Sequence, residues 1–287
     1  MNISNELNGF FAFCDKILNQ PDRGANMTKN PIFIGGEGRS GTTLLRIVLD
    51  THPNISCGPE THFFIDNNVK VLCKYLSETY KPRIMEYNSY PDDQPYLTMA
   101  RSFGAILDSF HSNYMMKRGK LRWADKTPHN ILNIQFISDA FPDMKFIHII
   151  RNGLDVAASM FEMPWGTTNV NYIANSWASC IKAGKEYAAN HDNYLEIRYE
   201  DLILSSKSTI TKVVEFLDEP WDDKLLQYNT VEHDYGIQYA NESSAIQVQQ
   251  AIYNSKINRW KSDLTIEQVN EFMAVSGNLY EQMGYEL

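Results

Sequence analysis

The stretch Pro31–Asp50, PIFIGGEGRSGTTLLRIVLD, decides the fold. Pro31-Ile32-Phe33-Ile34 is a short apolar run that stops at Gly35-Gly36, the pattern of a buried strand. From Thr42 to Asp50 the apolar residues Leu44, Ile47 and Val48 recur at helical spacing. The Gly-rich turn between strand and helix is a way to hold phosphate or sulfate. Backbone N–H groups point at the anion, the helix dipole favours negative charge, and the glycines let the ligand come close. Gly38, Arg39, Ser40, Gly41, Thr42 and Thr43 form this candidate cradle. Gly36 to Thr43 nearly fits the nucleotide motif G-x-x-x-x-G-K-[ST], but Thr42 stands at the lysine position. Arg39 is the substitute cation, suited to a bidentate oxyanion contact. As plain structure the run would be only a tight turn. A cation and three hydroxyls gathered there favour the anion.

Working outward, Lys145–Ile150 is the clearest strand, apolar and β-branched, and it runs into Arg151-Asn152-Gly153 and a helix through Phe161. Arg151, at a strand end beside a helix start, is placed to grip a second anion, with Ser159 two turns into that helix. Further strands are expected at Leu121–Ala124 and Tyr194–Ile197. Helices are expected at residues 3–20, 128–140, 171–190, 207–217 and 266–283, and residues 62–118 read as mostly helical with a break at Tyr87–Pro95. Alternating strands and helices predict an α/β fold with a P-loop-like, mainly parallel sheet flanked by helices and carrying a helical lid insertion. In such a sheet, ligands bind beyond the carboxyl ends of the strands. Trp177, Tyr187 and Phe216 read as core, and His52 and His148 as structural.

The chain has 287 residues, 43% of them hydrophobic, and a net charge of −9 without long basic runs. These features speak against nucleic acid or anionic membranes as partners, since both need a basic footprint. No apolar run approaches the roughly 20 residues of a membrane span, and the first residues lack a signal-peptide pattern. With no linker, the expectation is one domain over residues 1–287. Cys14, Cys57, Cys73 and Cys180 lie far apart with no C-x-x-C pair, which argues against a structural metal or a disulfide framework. Free thiols in a reducing compartment are expected.

The run Pro31–Phe64, PIFIGGEGRSGTTLLRIVLDTHPNISCGPETHFF, resembles the amino-terminal signature of sulfotransferases, above all tyrosylprotein sulfotransferases. The resemblance continues through KFIHIIRNGLDVAASM, IRYEDLI and a carboxyl-terminal NRW…GY, and is weakest over about residues 66–120. It implies that the Arg39–Thr43 loop binds the 5′-phosphosulfate of 3′-phosphoadenosine 5′-phosphosulfate (PAPS), with no metal. It further implies that Arg151 and Ser159 bind the 3′-phosphate, that Tyr199 contacts the nucleotide, and that Arg259 is a basic 3′-phosphate contact. Lys256 and Lys261 are alternatives to Arg259. Glu60 matches the catalytic base, Lys126 the lysine that stabilises the leaving oxygen, and Ser244 a serine in a supporting role.

Several departures from that family pattern matter. Asn152 replaces the usual Asp. No anchor helix precedes the domain, and Ala124 stands where the family's Golgi members place the disulfide partner of Cys57, so a soluble cytoplasmic enzyme, bacterial in type, is expected. His62 and Asp66 occupy positions where the animal enzymes carry arginines that read acidic peptides. The acceptor is thus left open between a peptidyl tyrosine or other phenol and a small-molecule or carbohydrate alcohol. Its pocket is expected to be walled by the variable residues 62–120 and by Met163–Val170. A homodimer is compatible with this reading. The competing classes are a P-loop kinase, with Asp125 as a Mg²⁺ carboxylate, and a non-catalytic nucleotide-binding protein; the missing lysine counts against the first, and the intact Glu60 and Lys126 against the second.

Overall fold

A computed structural model describes residues 28–64, 95–234, 246–252 and 254–287. Its centre is β1 (Ile32–Gly35), buried along its whole length. Phe33 packs into one apolar layer and Ile32 and Ile34 into the other, so both faces of the strand are covered. A strand buried on both sides reads as a continuous apolar run and belongs in a parallel sheet. The sheet is indeed all parallel, with β2 (Ile55–Cys57), β3 (Arg122–Lys126), β4 (Lys145–Ile150) and β5 (Tyr194–Arg198) in the order β2-β3-β1-β4-β5. Its topological switch lies at the carboxyl end of β1, where the Gly-rich turn leads into α1 (Thr42–Thr51).

The helices α2 (Pro95–Lys117) and α3 (Ile134–Ala140) cover one face with Phe33, Phe103, Trp123 and Phe146. Two further helices, α4 (Gly153–Phe161) and α5 (Val170–Ala188), precede β5. After it come α6 (Tyr199–Leu204) and α7 (Ser206–Phe216), which pack with α1 on the other face. The carboxyl-terminal α8 (Trp260–Asp263) and α9 (Ile266–Gln282) bury Trp260, Phe272 and Tyr280 against α4 and α5. Trp177 and Tyr187 are core residues, and Phe216 is half-buried against it.

The sequence-based elements differ from these in several places. β2 and α6 were not anticipated, and β3 extends two residues further, through Asp125 and Lys126. The helix expected over 128–140 is divided, a 3₁₀ segment Pro128–Asn133 coming before α3. Asn133 makes the break, with a non-helical φ of −116°. The helix expected at residues 3–20 and the break at Tyr87–Pro95, up to residue 94, lie outside the described residues. Among the described residues, no helix is long and apolar enough to cross a membrane.

A buried charge ties the β2 side together. Asp50, at the end of α1, accepts hydrogen bonds from the Cys57 amide and from Arg118 Nη2 at 2.9 and 2.8 Å, and His233 Nδ1 lies 3.0 Å away. Burial opposes its charge, but His233, Arg118 and Lys120 outweigh that cost and hold its carboxyl well below the usual range.

Candidate active site

The turn after β1 is shaped to expose backbone. Gly36 donates to Pro128 O at 2.8 Å, and a Cβ there would come 2.3 Å from Ile149 O. Gly41, just before α1, has φ +93°, and its missing Cβ leaves room for the Tyr199 ring, which would otherwise lie at 2.5 Å. Between them Arg39 holds φ +68°, uncommon for a residue with a side chain. Its Nε donates to Ser159 Oγ at 3.2 Å, and its carbonyl accepts from Arg151 Nη1 at 2.9 Å. The first predicted anion group and the second therefore meet at one place.

Arg151 leaves the end of β4 almost wholly buried. Its guanidinium lies 4.5 Å over the Tyr199 ring, and Nη2 donates to Lys256 O at 2.6 Å. Two buried polar atoms of the cradle, Ser40 Oγ and Arg151 Nε, have no hydrogen-bond partner. Such atoms are costly unless a ligand satisfies them, so the residues present fit an anionic group. A cavity opens beside Arg151. Arg39, Gly41, Thr42, Thr43, Arg151, Ser159, Tyr199, Lys256 and Arg259 line it, with Leu44, Ile203, Val248 and Ile252 as an apolar wall. Gly38 and Ser40 sit in the turn behind this lining.

Arg259 lines the cavity, but its donors are committed elsewhere. Nη1 donates to Glu162 Oε2 at 2.9 Å, Nη2 to the other Glu162 oxygen, and Nε to Asp263 Oδ2 at 2.6 Å. These bonds, Glu162 foremost, raise its pKa further. Lys256 also lines the cavity, whereas Lys261 turns towards the Trp260 ring at 5.2 Å.

Two of the predicted reacting groups, Lys126 and Glu60, meet beside Thr43 of the cradle. Lys126 ends β3 and is 2% exposed; its Nζ donates to Glu60 Oε1 and, at 3.3 Å, to Thr43 Oγ1 of the cradle. Burial lowers the Lys126 pKa, and the charge of Glu60 opposes that change. Glu60 lies in the loop after β2, where His62 Nε2 is 3.3 Å from its second oxygen. Ser244 lies outside the described residues.

Sequence reasoning missed one brace of this loop. Arg46, buried on α1, donates to Cys57 O and Gly58 O at 3.0 and 2.9 Å and to Asp234 O at 3.0 Å. The signal was an arginine set among Leu44, Leu45, Ile47 and Val48.

His148 is wholly buried beside Tyr194 Oη at 2.7 Å, and burial pushes its pKa down to about 3. His52 Nε2 bonds Pro220 O at 2.9 Å. Neither of these bonds is to Glu60 or Lys126. Cys57 is a buried free thiol paired in register with Ala124, and Cys180 is also free; Cys14 and Cys73 lie outside the described residues. Among the described residues, no group of His, Cys, Asp and Glu is set to hold a metal ion.

The model of the "Sulfotransferase family" matches residues 31–223. Protein-tyrosine sulfotransferase A of Caenorhabditis elegans is 27% identical over 92% of this chain and 70% of its own length. Protein-tyrosine sulfotransferase of Drosophila melanogaster is 24% identical over 100% of this chain, which spans only 58% of that relative. The sulfotransferase domain from the Synechococcus PCC 7002 olefin synthase shares the fold with a TM-score of 0.60 at 20% identity, over 94% of this chain and 100% of that one. The sulfotransferase domain from the curacin biosynthetic pathway does so with a TM-score of 0.63 at 19% identity, over 91% and 100%.

Proposed function

The chain belongs to the sulfotransferase family, and from that premise we propose that it moves the sulfuryl group of PAPS to a phenolic hydroxyl by in-line transfer. The observation that carries this reading is Lys126, whose ammonium touches both Thr43 of the anion cradle and the Glu60 carboxylate. Sulfuryl transfer needs positioning, a base towards the acceptor and a cation towards the leaving oxygen. Arg39, Ser40, Gly41, Thr42 and Thr43, with Gly38 behind them, hold the 5′-phosphosulfate. Arg151 and Ser159 take the 3′-phosphate, and Tyr199 supports the nucleotide. Because Arg259 is held by Glu162 and Asp263, Lys256 is the better candidate for the additional 3′-phosphate contact.

Glu60 takes the proton of the attacking hydroxyl, and Lys126 meets the charge growing on the phosphate oxygen as the S–O bond breaks. Ser244 is kept in its supporting role on the resemblance alone. The acceptor enters on the side of residues 62–120, within a single catalytic domain. Peptidyl tyrosine is the first candidate acceptor, since relatives are named for it.

The test is transfer of label from sulfur-labelled PAPS to a panel of phenols, tyrosine peptides and aliphatic alcohols. Transfer to phenols is expected without added metal. Glu60→Gln keeps the size of the side chain but cannot act as a base, so turnover should fall about 10²–10⁴-fold. Native turnover in that variant would place the base elsewhere.

A further inference from the structure

The loop that carries Glu60 has no regular structure, yet a base must be held to a fraction of an ångström. The residue after Glu60 supplies an anchor. Thr61 Oγ1 donates to Asp125 Oδ2 at 2.5 Å. Asp125 is 2% exposed, immediately precedes Lys126, and accepts from Asn130 Nδ2 at 2.7 Å through its other oxygen. His111 Nε2 lies 3.3 Å from Oδ2 without a hydrogen-bonding angle, and its ring stacks on Trp123 at 4.4 Å. The carboxylate is thus held by Asn130 of the 3₁₀ segment, with His111 of α2 beside it, before it reaches Thr61.

The two dipeptides straddle the sheet. In the register of β1 with β3, Phe33 stands opposite Asp125 and Ile34 opposite Lys126. Phe33 belongs to the apolar layer under α2 and α3, and Ile34 to the layer under α1. Successive side chains of a strand point to opposite faces. Asp125 therefore grips Thr61 on one face while Lys126 grips Glu60 on the other. The amide of His62 adds a longer bond, 3.3 Å, to Thr127 Oγ1.

We propose that Thr61 and Asp125 are positioning residues: their hydrogen bond pins the loop across the end of β3 and so sets Glu60 against Lys126 and the acceptor hydroxyl. The proposal rests on the reading of Glu60 as the base. It predicts that the Thr61 hydroxyl contributes to turnover only through Glu60.

A double-mutant cycle with PAPS and the phenol best used by the native enzyme tests it. Thr61→Val keeps the shape and removes the donor; kcat should fall by up to about 10²-fold, the cost of a displacement near 1 Å. Affinity for 3′-phosphoadenosine 5′-phosphate (PAP) should stay as in the native enzyme while Tm falls, since the buried Asp125 loses a donor, and Thr61→Ser should restore most of kcat and Tm. Adding Thr61→Val to Glu60→Gln should cost nothing further, because the group it positions is already disabled. A native kcat in Thr61→Val alongside an impaired Glu60→Gln overturns the clamp and leaves the base standing. Losses that multiply in the double variant, or a fall in PAP affinity as large as the fall in kcat, also overturn it. Native turnover in Glu60→Gln removes the base, and the clamp with it.

Discussion

Arg151→Ala should weaken the preference for a nucleotide that carries a 3′-phosphate. The guanidinium is 4% exposed, bonds two carbonyls, and keeps a buried Nε with no partner. A hydrogen bond between charged groups contributes about 1.5–3 kcal/mol. Losing one such contact is roughly a 10- to 150-fold rise in Kd. The variant also strips the Arg39 and Lys256 carbonyls of their donor, which costs stability whether or not a ligand binds. A raw loss of PAP affinity would mix the two effects. Calorimetric titration with PAP and with AMP, at one ionic strength, separates them, because the structural cost is common to both ligands and cancels in the ratio. The native protein should prefer PAP, and the ratio should shrink in Arg151→Ala by the factor above. An unchanged ratio would show that Arg151 braces the turn and does not touch the 3′-phosphate.

Lys126→Ala should lower kcat about 10²–10³-fold, like the loss of an oxyanion donor, with a smaller effect on PAP affinity; steady-state kinetics beside PAP titration checks this, and an affinity loss as large as the kcat loss counts against it. Burial pushes the Cys57 thiol up to about 12 and the Cys180 thiol well above its ordinary value. Neither should react with iodoacetamide at mildly alkaline pH until guanidinium unfolds the chain, and a native adduct on either contradicts that. His148, held neutral by burial with a pKa of about 3, titrates near 6.5 once unfolded. The unfolded state alone therefore binds that proton between these values. The urea midpoint should fall as pH drops through this window, this group costing about 1.4 kcal/mol per unit. Asp50, held low, adds its loss below about pH 4, where the unfolded carboxylate begins to protonate. A midpoint flat from neutral pH to pH 4 would contradict the role of His148.

The sequence made β1 and β4 legible because each is a buried run bounded by turn residues. β2 was not, since Ile55-Ser56-Cys57 is too short to show any period. The break in the 128–140 helix depends on the conformation of Asn133, which no periodicity reports. The cradle and the strand-end Arg151 could be read because local chemistry fixes them. The convergence of Glu60, Lys126 and Thr43 could not, since their meeting depends on strand order. For Arg259 the resemblance named a phosphate contact, yet its charge is spent on Glu162 and Asp263, carboxylates that no single motif contains.

The order β2-β3-β1-β4-β5 lays out the proposed chemistry along one edge of the sheet. Glu60 follows β2, Lys126 ends β3, the cradle follows β1, Arg151 follows β4 and Tyr199 follows β5. Acceptor and nucleotide are thus served by opposite ends of a line, with only the transferred group in the middle. Grafting the chain between β2 and β3 from another sulfotransferase should change which hydroxyl is sulfated and leave PAP affinity as it was. Descent has the same freedom: a lineage can rewrite its acceptor on one side while its donor half stays as inherited.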